Sequence, residues 1–193
     1  MSAADVVIVG GGPAGLSAAI ELRRRGAGRV VVHERELQAG GVPRHTAHLG
    51  YGTRDLHRLM SGPAYAAALT RRAERAGVEI ETGRTVRSFA GGVVHTTGAT
   101  GSATVTAGAV LLATGVRERP RSARLVPGDR PAGIFTTGSL QQFTTLHHQR
   151  VGNRAVIVGA EHVSFSAVLT LAHSGCEIAA MVTPLPRHQT YAP

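Results

Sequence analysis

Three glycines near the start of the chain have the spacing of a phosphate-binding turn. Gly10, Gly12 and Gly15 form the pattern G-x-G-x-x-G within DVVIVGGGPAGLSAAIELRRRG, residues 5–26. In this pattern the first glycine permits a tight turn, the second lets a pyrophosphate approach the backbone, and the third lets a helix pack closely on a strand. Glu34, roughly 20 residues further on, supplies a carboxylate that can accept hydrogen bonds from a ribose. Together they predict a dinucleotide site, and the alternative is a glycine-rich turn without a ligand.

Regular elements must stand on both sides of these glycines to position them. Val6–Val9 is apolar and β-branched, as in a strand buried on both faces. Residues 14–25 have apolar side chains at helical spacing, with Gly26 as a candidate C-cap. A second buried strand, RVVVHE, ends at Glu34. This order predicts a βαβ unit in which the N-terminus of the helix offers free N–H groups to phosphates.

Further along the chain the hydrophobic pattern changes twice. A long segment rich in glycine, histidine and arginine, residues 35–63, precedes a predicted helix at 64–76 and a strand, VEIE. Residues 85–106 alternate with a period of two, which predicts a three-stranded antiparallel meander. AVLLATG, residues 109–115, indicates a buried parallel strand again.

The fold class predicted from these elements is α/β. We expect residues 1–120 to form the N-terminal portion of a Rossmann-like dinucleotide-binding domain, with a parallel sheet and a β-meander. Residues 121–193 are expected to form a linker and an incomplete second nucleotide-binding-like domain.

The meander followed by Ala113, Thr114 and Gly115 resembles the flavoproteins that have two dinucleotide-binding domains. Arg119 and Pro120, with the crossing to a second nucleotide fold, are also similar to that family. The resemblance implies FAD as the cofactor of the first domain. It implies a set of FAD-contacting residues: Gly10, Gly12, Pro13, Ala14, Gly15, Glu34, Arg35, Gly41, Arg44, His45, Val86, Ala113, Thr114 and Gly115.

The segment after Glu34 departs from the disulfide reductases of the same superfamily. Those enzymes carry two redox cysteines there, whereas this segment reads GGVPRHTAHLGYGTRDLHR and contains none. The single cysteine of the chain, Cys176, cannot form a redox pair by itself. We therefore expect electrons to pass to an acceptor other than a protein disulfide.

Within that segment Arg44, His45 and His48 are the candidate catalytic residues. Arginine suits an anionic substrate or the flavin because its guanidinium forms paired hydrogen bonds, and histidine can move a proton. The alternative is a structural role in which the loop side chains hydrogen-bond to backbone. The strings GGVPRHTAHLGYGTRDLHRLMSGPAYA, GDRPAGIFTTGSLQ and VIVGAEHVSFSAVLTL resemble the FAD subunits of opine oxidase, dye-linked proline dehydrogenase and hydrogen cyanide synthase.

The second nucleotide fold has an altered glycine pattern. Gly159 is in place, but Glu161 and Ser164 stand at the second and third glycine positions. A carboxylate at the second position repels a pyrophosphate, so the sequence argues against NAD(P). Because the family's FAD domain resumes after the second domain, the resemblance also predicts that this chain is a truncated member.

The composition excludes several other classes of function. The net charge of +9 comes from arginine alone, since there is no lysine for a P-loop or a Schiff base. The arginines are not interleaved with aromatic residues, which argues against nucleic-acid binding. We predict no metal site, and no apolar run reaches the roughly 18 residues of a membrane helix. The expectation is a cytoplasmic protein.

Three functions remain open from the sequence. The first is an FAD-dependent oxidoreductase, or its N-terminal part, that oxidises the C–N bond of an amine, amino acid or imino acid with the help of other dehydrogenase subunits. The second is a non-catalytic flavin-binding or assembly subunit of a hetero-oligomeric dehydrogenase. The third is an NAD(P)-dependent reductase, against which the meander and VLLATG argue.

Overall fold

The computed structural model describes residues 2–129 and 131–190, and these divide into two compact units. The first unit comprises the residues up to 43 together with 63–116, and the second comprises 44–62 and the residues from 117 onward. The predicted division of the sequence after residue 120 stays a prediction.

The first unit is built on a six-stranded sheet. Its elements, in chain order, are β1 (Ser2–Val9), α1 (Pro13–Arg24), β2 (Val30–His33), then, after β3 (Leu49–Tyr51) and β4 (Met60–Ser61) of the second unit, α2 (Gly62–Arg75), β5 (Glu79–Glu81), β6 (Arg84–Ala90), β7 (Val93–Gly98) and β8 (Gly101–Leu112). The strand order is β5-β2-β1-β8-β7-β6. The pairs β1–β2, β2–β5 and β1–β8 are parallel, and β6–β7–β8 form an antiparallel meander. The predicted α/β fold class is confirmed.

One detail of the sheet differs from the sequence-based expectation. SATVT and AVLLATG are expected as two strands, but residues 101–112 form one continuous strand, β8. Its first half pairs antiparallel with β7, and its second half pairs parallel with β1. The neighbours of the strand therefore change midway, which is why the periodicity of the sequence changes there without a break in the chain.

Side chains from β1, β2, β7 and β8 form one hydrophobic cluster of the first unit. Val7, Val31 and Val94 are fully excluded from solvent and pack in one hydrophobic cluster. Gly10 and Glu34 directly follow β1 and β2, two of the strands that contribute to this cluster.

The second unit contains a smaller parallel pair of strands. β3 and β4 pair antiparallel within it, and a short helix, α3 (Thr137–Gln141), continues into a π-helical turn, Gln142–Leu146. β9 (Arg154–Val158), α4 (His162–His173) and β10 (Glu177–Val182) then form a βαβ unit. Leu140, Ile157, Leu171 and Cys176 pack in its core.

Candidate functional site

The turn between β1 and α1 depends on two glycines that allow close backbone approach. Gly10 has φ of +111°, and a Cβ there would lie 2.3 Å from the carbonyl oxygen of Ala113. A Cβ on Gly15 would lie 2.0 Å from the carbonyl oxygen of Gly10. Any side chain at either position therefore collides with backbone, so these two glycines hold β1, β8 and α1 together.

Gly12 has a different environment. It is the N-cap of α1, with ordinary extended backbone (φ −79°, ψ −178°) and no capping side chain. The nearest atom to a Cβ placed there is the Cα of Gly41, at 3.8 Å. The space above Gly12 is therefore open, so a ligand can approach the backbone at this point.

The first turn of α1 leaves backbone donors available beside that space. The helix ladder begins with the N–H of Leu16 donating to the carbonyl oxygen of Gly12 at 2.9 Å. The preceding N–H groups, those of Gly12, Ala14 and Gly15, have no partner within the helix, and Pro13 has no N–H at all. Unpaired N–H groups at a helix N-terminus form a site suited to an anion.

The Glu34 carboxylate is fixed at the edge of this turn. Glu34 is only 8% exposed. Its Oε2 accepts the N–H of Gly11 at 2.8 Å, and its Oε1 accepts the N–H of Glu36 at 2.9 Å. A carboxylate oxygen can accept more than one hydrogen bond, so each oxygen can also receive a ligand hydroxyl. The neighbouring Arg35 is exposed and pairs with Glu36 at 3.3 Å.

Residues 40–41 and the start of β6 also lie beside the turn. The N–H of Gly40 donates to Gly11 at 2.7 Å, and Gly41 (φ +63°) is so close to Gly12 that a Cβ would lie 2.8 Å from its Cα. Arg84 donates its N–H to the carbonyl oxygen of Glu34, which places the start of β6, two residues before Val86, beside the acidic residue.

The end of β8 completes the surroundings of the turn. The N–H of Ala113 donates to the carbonyl oxygen of Val9 at 2.8 Å, so Ala113 and Thr114 follow directly beside Gly10. The structure therefore gathers Gly10, Gly12, Pro13, Ala14, Gly15, Glu34, Gly41 and Ala113 around one turn. The Val86 side chain instead packs against the hydrophobic cluster of the sheet.

His33, which sequence reasoning did not select, lies directly before Glu34. Its imidazole is fully excluded from solvent, and its Nδ1 lies 3.4 Å from Glu81 Oε2. Burial lowers the pKa of His33, and Arg84 and Arg29 lower it further against the opposing effect of Glu81. His33 is therefore neutral near pH 7.

Other contacts that sequence reasoning missed involve backbone. The Gly11 N–H bond to Glu34 and the Gly40 N–H bond to Gly11 had no signal in the sequence beyond the glycine pairs themselves. His33 did have a sequence signal, because it is the polar residue that ends the apolar run VVV.

The candidate catalytic residues all lie in the second unit. Arg44 and His45 occupy a short 3-10 helix, Val42–His45, and His45 is buried. The Nδ1 of His48 lies 2.8 Å from the carbonyl oxygen of Leu49, and its Nε2 lies 2.7 Å from Ser166 Oγ. Both ring nitrogens of His48 are thus engaged, and the catalytic roles of these three residues stay predictions.

In the altered loop of the second nucleotide fold, the Glu161 side chain folds over the glycine turn. Gly159 has φ of +134°, and a Cβ there would lie 2.5 Å from Glu161 Oε2, so that carboxylate sits directly over the turn. Glu161 Oε2 accepts the hydroxyl of Ser164 at 2.8 Å, and Oε1 lies 3.7 Å from Arg124. The hydrogen bond from Ser164 is the main reason that the pKa of Glu161 lies below its usual value. The backbone of Glu161, the charge of Arg124 and the backbone of Ala160 lower it further, in decreasing order, against the opposing effect of burial.

Neither a membrane span nor a metal cluster occurs in the described parts of the chain. Among residues 2–129 and 131–190, no helix has both the length and the apolar character needed to cross a bilayer. Within the same ranges, His, Cys, Asp and Glu side chains form no group of three or more that is placed to hold a metal ion.

Comparison with known proteins gives matches along nearly the whole chain. A sequence profile of the pyridine nucleotide-disulphide oxidoreductase family matches residues 4–191. The alpha subunit of sarcosine oxidase from Corynebacterium sp. (strain P-1) is 30% identical over 188 residues, which are 91% of this chain and 19% of that protein. The A subunit of opine oxidase from Agrobacterium tumefaciens (strain Ach5) is 32% identical over 148 residues, 71% of this chain and 28% of that protein. The chain thus spans less than a third of either relative.

A solved structure shares the fold. L-proline dehydrogenase from P. horikoshii aligns with a TM-score of 0.76 and 20% identity, over 96% of this chain and 36% of that one. At this level of identity the similarity concerns the fold alone.

Proposed function

The chain belongs to the pyridine nucleotide-disulphide oxidoreductase family, and on that basis we propose that it is an FAD-dependent oxidoreductase, or part of one. The observation that carries the proposal is the turn after β1: an open backbone at Gly12, a helix N-terminus with unpaired N–H groups, and a fixed carboxylate at Glu34. These are the groups that a dinucleotide with a pyrophosphate and an adenosine ribose requires.

The residues of the turn divide the binding of FAD among them. The N–H groups of Gly12, Ala14 and Gly15 donate to the pyrophosphate, and the partial positive charge of the helix N-terminus favours its negative charge. Glu34, held by Gly11 and Glu36, accepts the ribose hydroxyls. When bound, FAD supplies an acceptor for the two electrons released as a C–N single bond becomes C=N.

The substrate class is proposed from the relatives. Sarcosine oxidase, opine oxidase and proline dehydrogenase are named for substrates in which carbon is bonded to a secondary amine nitrogen. We propose the same class here: an amine, amino acid or imino acid. Two of these relatives are named as subunits, which supports other subunits as partners. A flavin-binding protein without catalytic activity of its own is the second candidate, favoured by the engagement of both His48 nitrogens.

The electron acceptor in this proposal is not a protein disulfide. The segment 44–62 contains no cysteine, and Cys176 is buried in the core of the second unit. A lone buried thiol cannot exchange with a disulfide partner, because exchange requires an exposed thiolate.

The proposal is tested first by replacing Glu34. Glu34→Gln keeps one oxygen but turns an N–H₂ group toward donors, so it weakens both the Gly11 contact and the ribose contact. Hydrogen bonds to a charged acceptor contribute about 1.5–3 kcal/mol, so we expect FAD affinity to fall about 10- to 100-fold. Flavin fluorescence titration of the full-length protein measures this.

The matched control is Glu36→Gln, two residues after Glu34. It removes the same charge, but from an exposed side chain that pairs with Arg35. It should leave FAD affinity unchanged within about twofold, since an exposed pair contributes about 1 kcal/mol or less and does not face the ribose. Equal losses for both variants would show that charge alone matters, and stoichiometric NAD without flavin in the wild-type protein would overturn the assignment of FAD.

We also propose that the second nucleotide fold does not bind NAD(P). The Glu161 carboxylate lies over Gly159 and places negative charge where a pyrophosphate would approach the backbone. The wild-type protein should therefore show no saturable binding of NADH in the micromolar range, measured by NADH fluorescence.

Glu161→Gly removes both the charge and the obstruction. We expect NADH affinity to increase without reaching the micromolar range, because Ser164 still stands where a third glycine would allow close packing. Glu177→Gln, on the exposed face of β10, is the control that should change nothing. Rapid reduction of the flavin by micromolar NADH in the wild-type protein would contradict the proposal.

A further inference from the structure

A solvent-open cavity of about 890 Å³ lies within the second unit. Its walls come from three parts of the chain: residues 47–48, the turn within 144–150, and the C-terminal end of α4 with the residues that follow it, within 169–174. Small-molecule sites commonly have volumes of roughly 300–1,000 Å³, so this cavity is large enough for a compact organic ligand.

The cavity wall is rich in hydrogen-bond donors and lacks acids. His48, His148, His173 and Arg150 line it, and no aspartate or glutamate is among its lining residues. Across the described parts of the chain, Arg150 forms no ion pair. The guanidinium is always charged near neutral pH, so the cavity presents a permanent cation without a counter-charge.

At His48 the wall is supported by a partly buried polar network. Thr46 donates to Gln141 Oε1 at 3.3 Å, Gln141 Nε2 donates to Ser166 Oγ at 2.8 Å, and Ser166 Oγ lies 2.7 Å from His48 Nε2. Thr46 and Gln141 are both buried. Because the carbonyl of Leu49 can only accept, His48 Nδ1 carries a proton. The imidazole is thus held in one orientation before any ligand arrives.

Another part of the wall is an unusual turn. A π-helical segment, Gln142–Leu146, is closed by the N–H of Gln149 donating to the carbonyl oxygen of Phe143 at 2.8 Å. His148 within the turn has φ of +51°, which is costly for a residue other than glycine. Single π-helical turns and left-handed residues concentrate at functional sites, and here they place His148 and Arg150 in the cavity wall.

We propose that this cavity binds a small carboxylate that carries an apolar group. Arg150 holds the carboxylate by its paired N–H groups, with His148 beside it, while Ala47, Leu169 and Ala172 contact the apolar part. The carbonyl end of α4 carries partial negative charge, so the acid group lies on the Arg150 side and the apolar group lies along α4. This site goes beyond the proposed flavin chemistry, because all of its lining residues belong to the second unit.

Titration calorimetry of the full-length protein with phenylacetate, phenylacetamide and inorganic phosphate tests the proposal. Phenylacetate should bind saturably, with phenylacetamide at least tenfold weaker because it lacks the charge. Arg150→Gln should weaken phenylacetate at least tenfold and leave phenylacetamide unchanged. Arg71→Gln is the matched control, since Arg71 is an exposed arginine on α2 with the same charge.

Each other outcome overturns the proposal. Equal weakening by Arg150→Gln and Arg71→Gln would mean that net charge alone attracts the anion. Equal binding of the acid and the amide would mean that the cavity recognises only the aromatic ring. If phosphate bound as tightly as phenylacetate, the apolar group would contribute nothing to binding. If no probe bound saturably, the cavity would not be a binding site. Thermal melting of both variants should match that of the wild type, because both side chains are exposed.

Discussion

Gly15→Ala is expected to destabilise the protein severely. The added methyl would lie 2.0 Å from the carbonyl oxygen of Gly10 and 3.3 Å from Ile8 Cγ2, and the first of these contacts is with backbone that cannot rotate away. α1 would have to move off β1. We expect the free energy of unfolding to fall by about 4 kcal/mol or more, as in severe overpacking. This loss is comparable to the roughly 5–15 kcal/mol stability of a whole domain. Urea unfolding of the variant and wild type measures it.

Gly26→Ala is the control for this substitution. Gly26 also lies in the first unit, has φ of +88°, and a Cβ there meets no atom within 4 Å. The free energy of unfolding of this variant should fall by only about 1–2 kcal/mol, the cost of placing alanine in the left-handed region. If Gly15→Ala unfolds at the same urea concentration as Gly26→Ala, α1 is not packed on β1 as closely as described.

Gly12→Ala is expected to weaken flavin binding strongly while leaving the fold intact. Its φ of −79° suits alanine, and the nearest atom to the new methyl is 3.8 Å away, so stability should fall by less than about 1 kcal/mol. The methyl would instead occupy the space through which the pyrophosphate reaches the N–H groups of α1. Losing two hydrogen bonds to a charged group, at about 1.5–3 kcal/mol each, lowers FAD affinity about 100-fold or more.

The measurement combines flavin fluorescence titration with thermal melting of the same full-length samples. Gly138→Ala is the control, because a Cβ there also has its nearest neighbour at 3.8 Å, in the second unit. It should keep both FAD affinity and stability. Unchanged FAD binding in Gly12→Ala would place the pyrophosphate elsewhere and would remove the main support for the proposed cofactor.

Much of the first unit could be predicted from the sequence because its signals are local. The run from β1 through Gly10, Gly12 and Gly15 to Glu34 spans about thirty residues, and hydrophobic periodicity with glycine spacing is enough to order its elements. The meander could be predicted for the same reason, since alternation with a period of two is a property of neighbouring residues. The alteration of the second nucleotide loop at Glu161 and Ser164 was also visible in the pattern alone.

Only the tertiary structure decided which distant groups meet. Nothing in the sequence indicates that Glu34 accepts the N–H of Gly11, that the Glu161 carboxylate lies over Gly159, or that β8 exchanges one neighbour for another without a break. The same holds for Thr46, Gln141, Ser166 and His48, which form one network although up to 120 residues separate them. Propensity and periodicity act over a few residues, whereas these contacts follow from how packed elements satisfy their buried polar groups, and that is set by the whole fold.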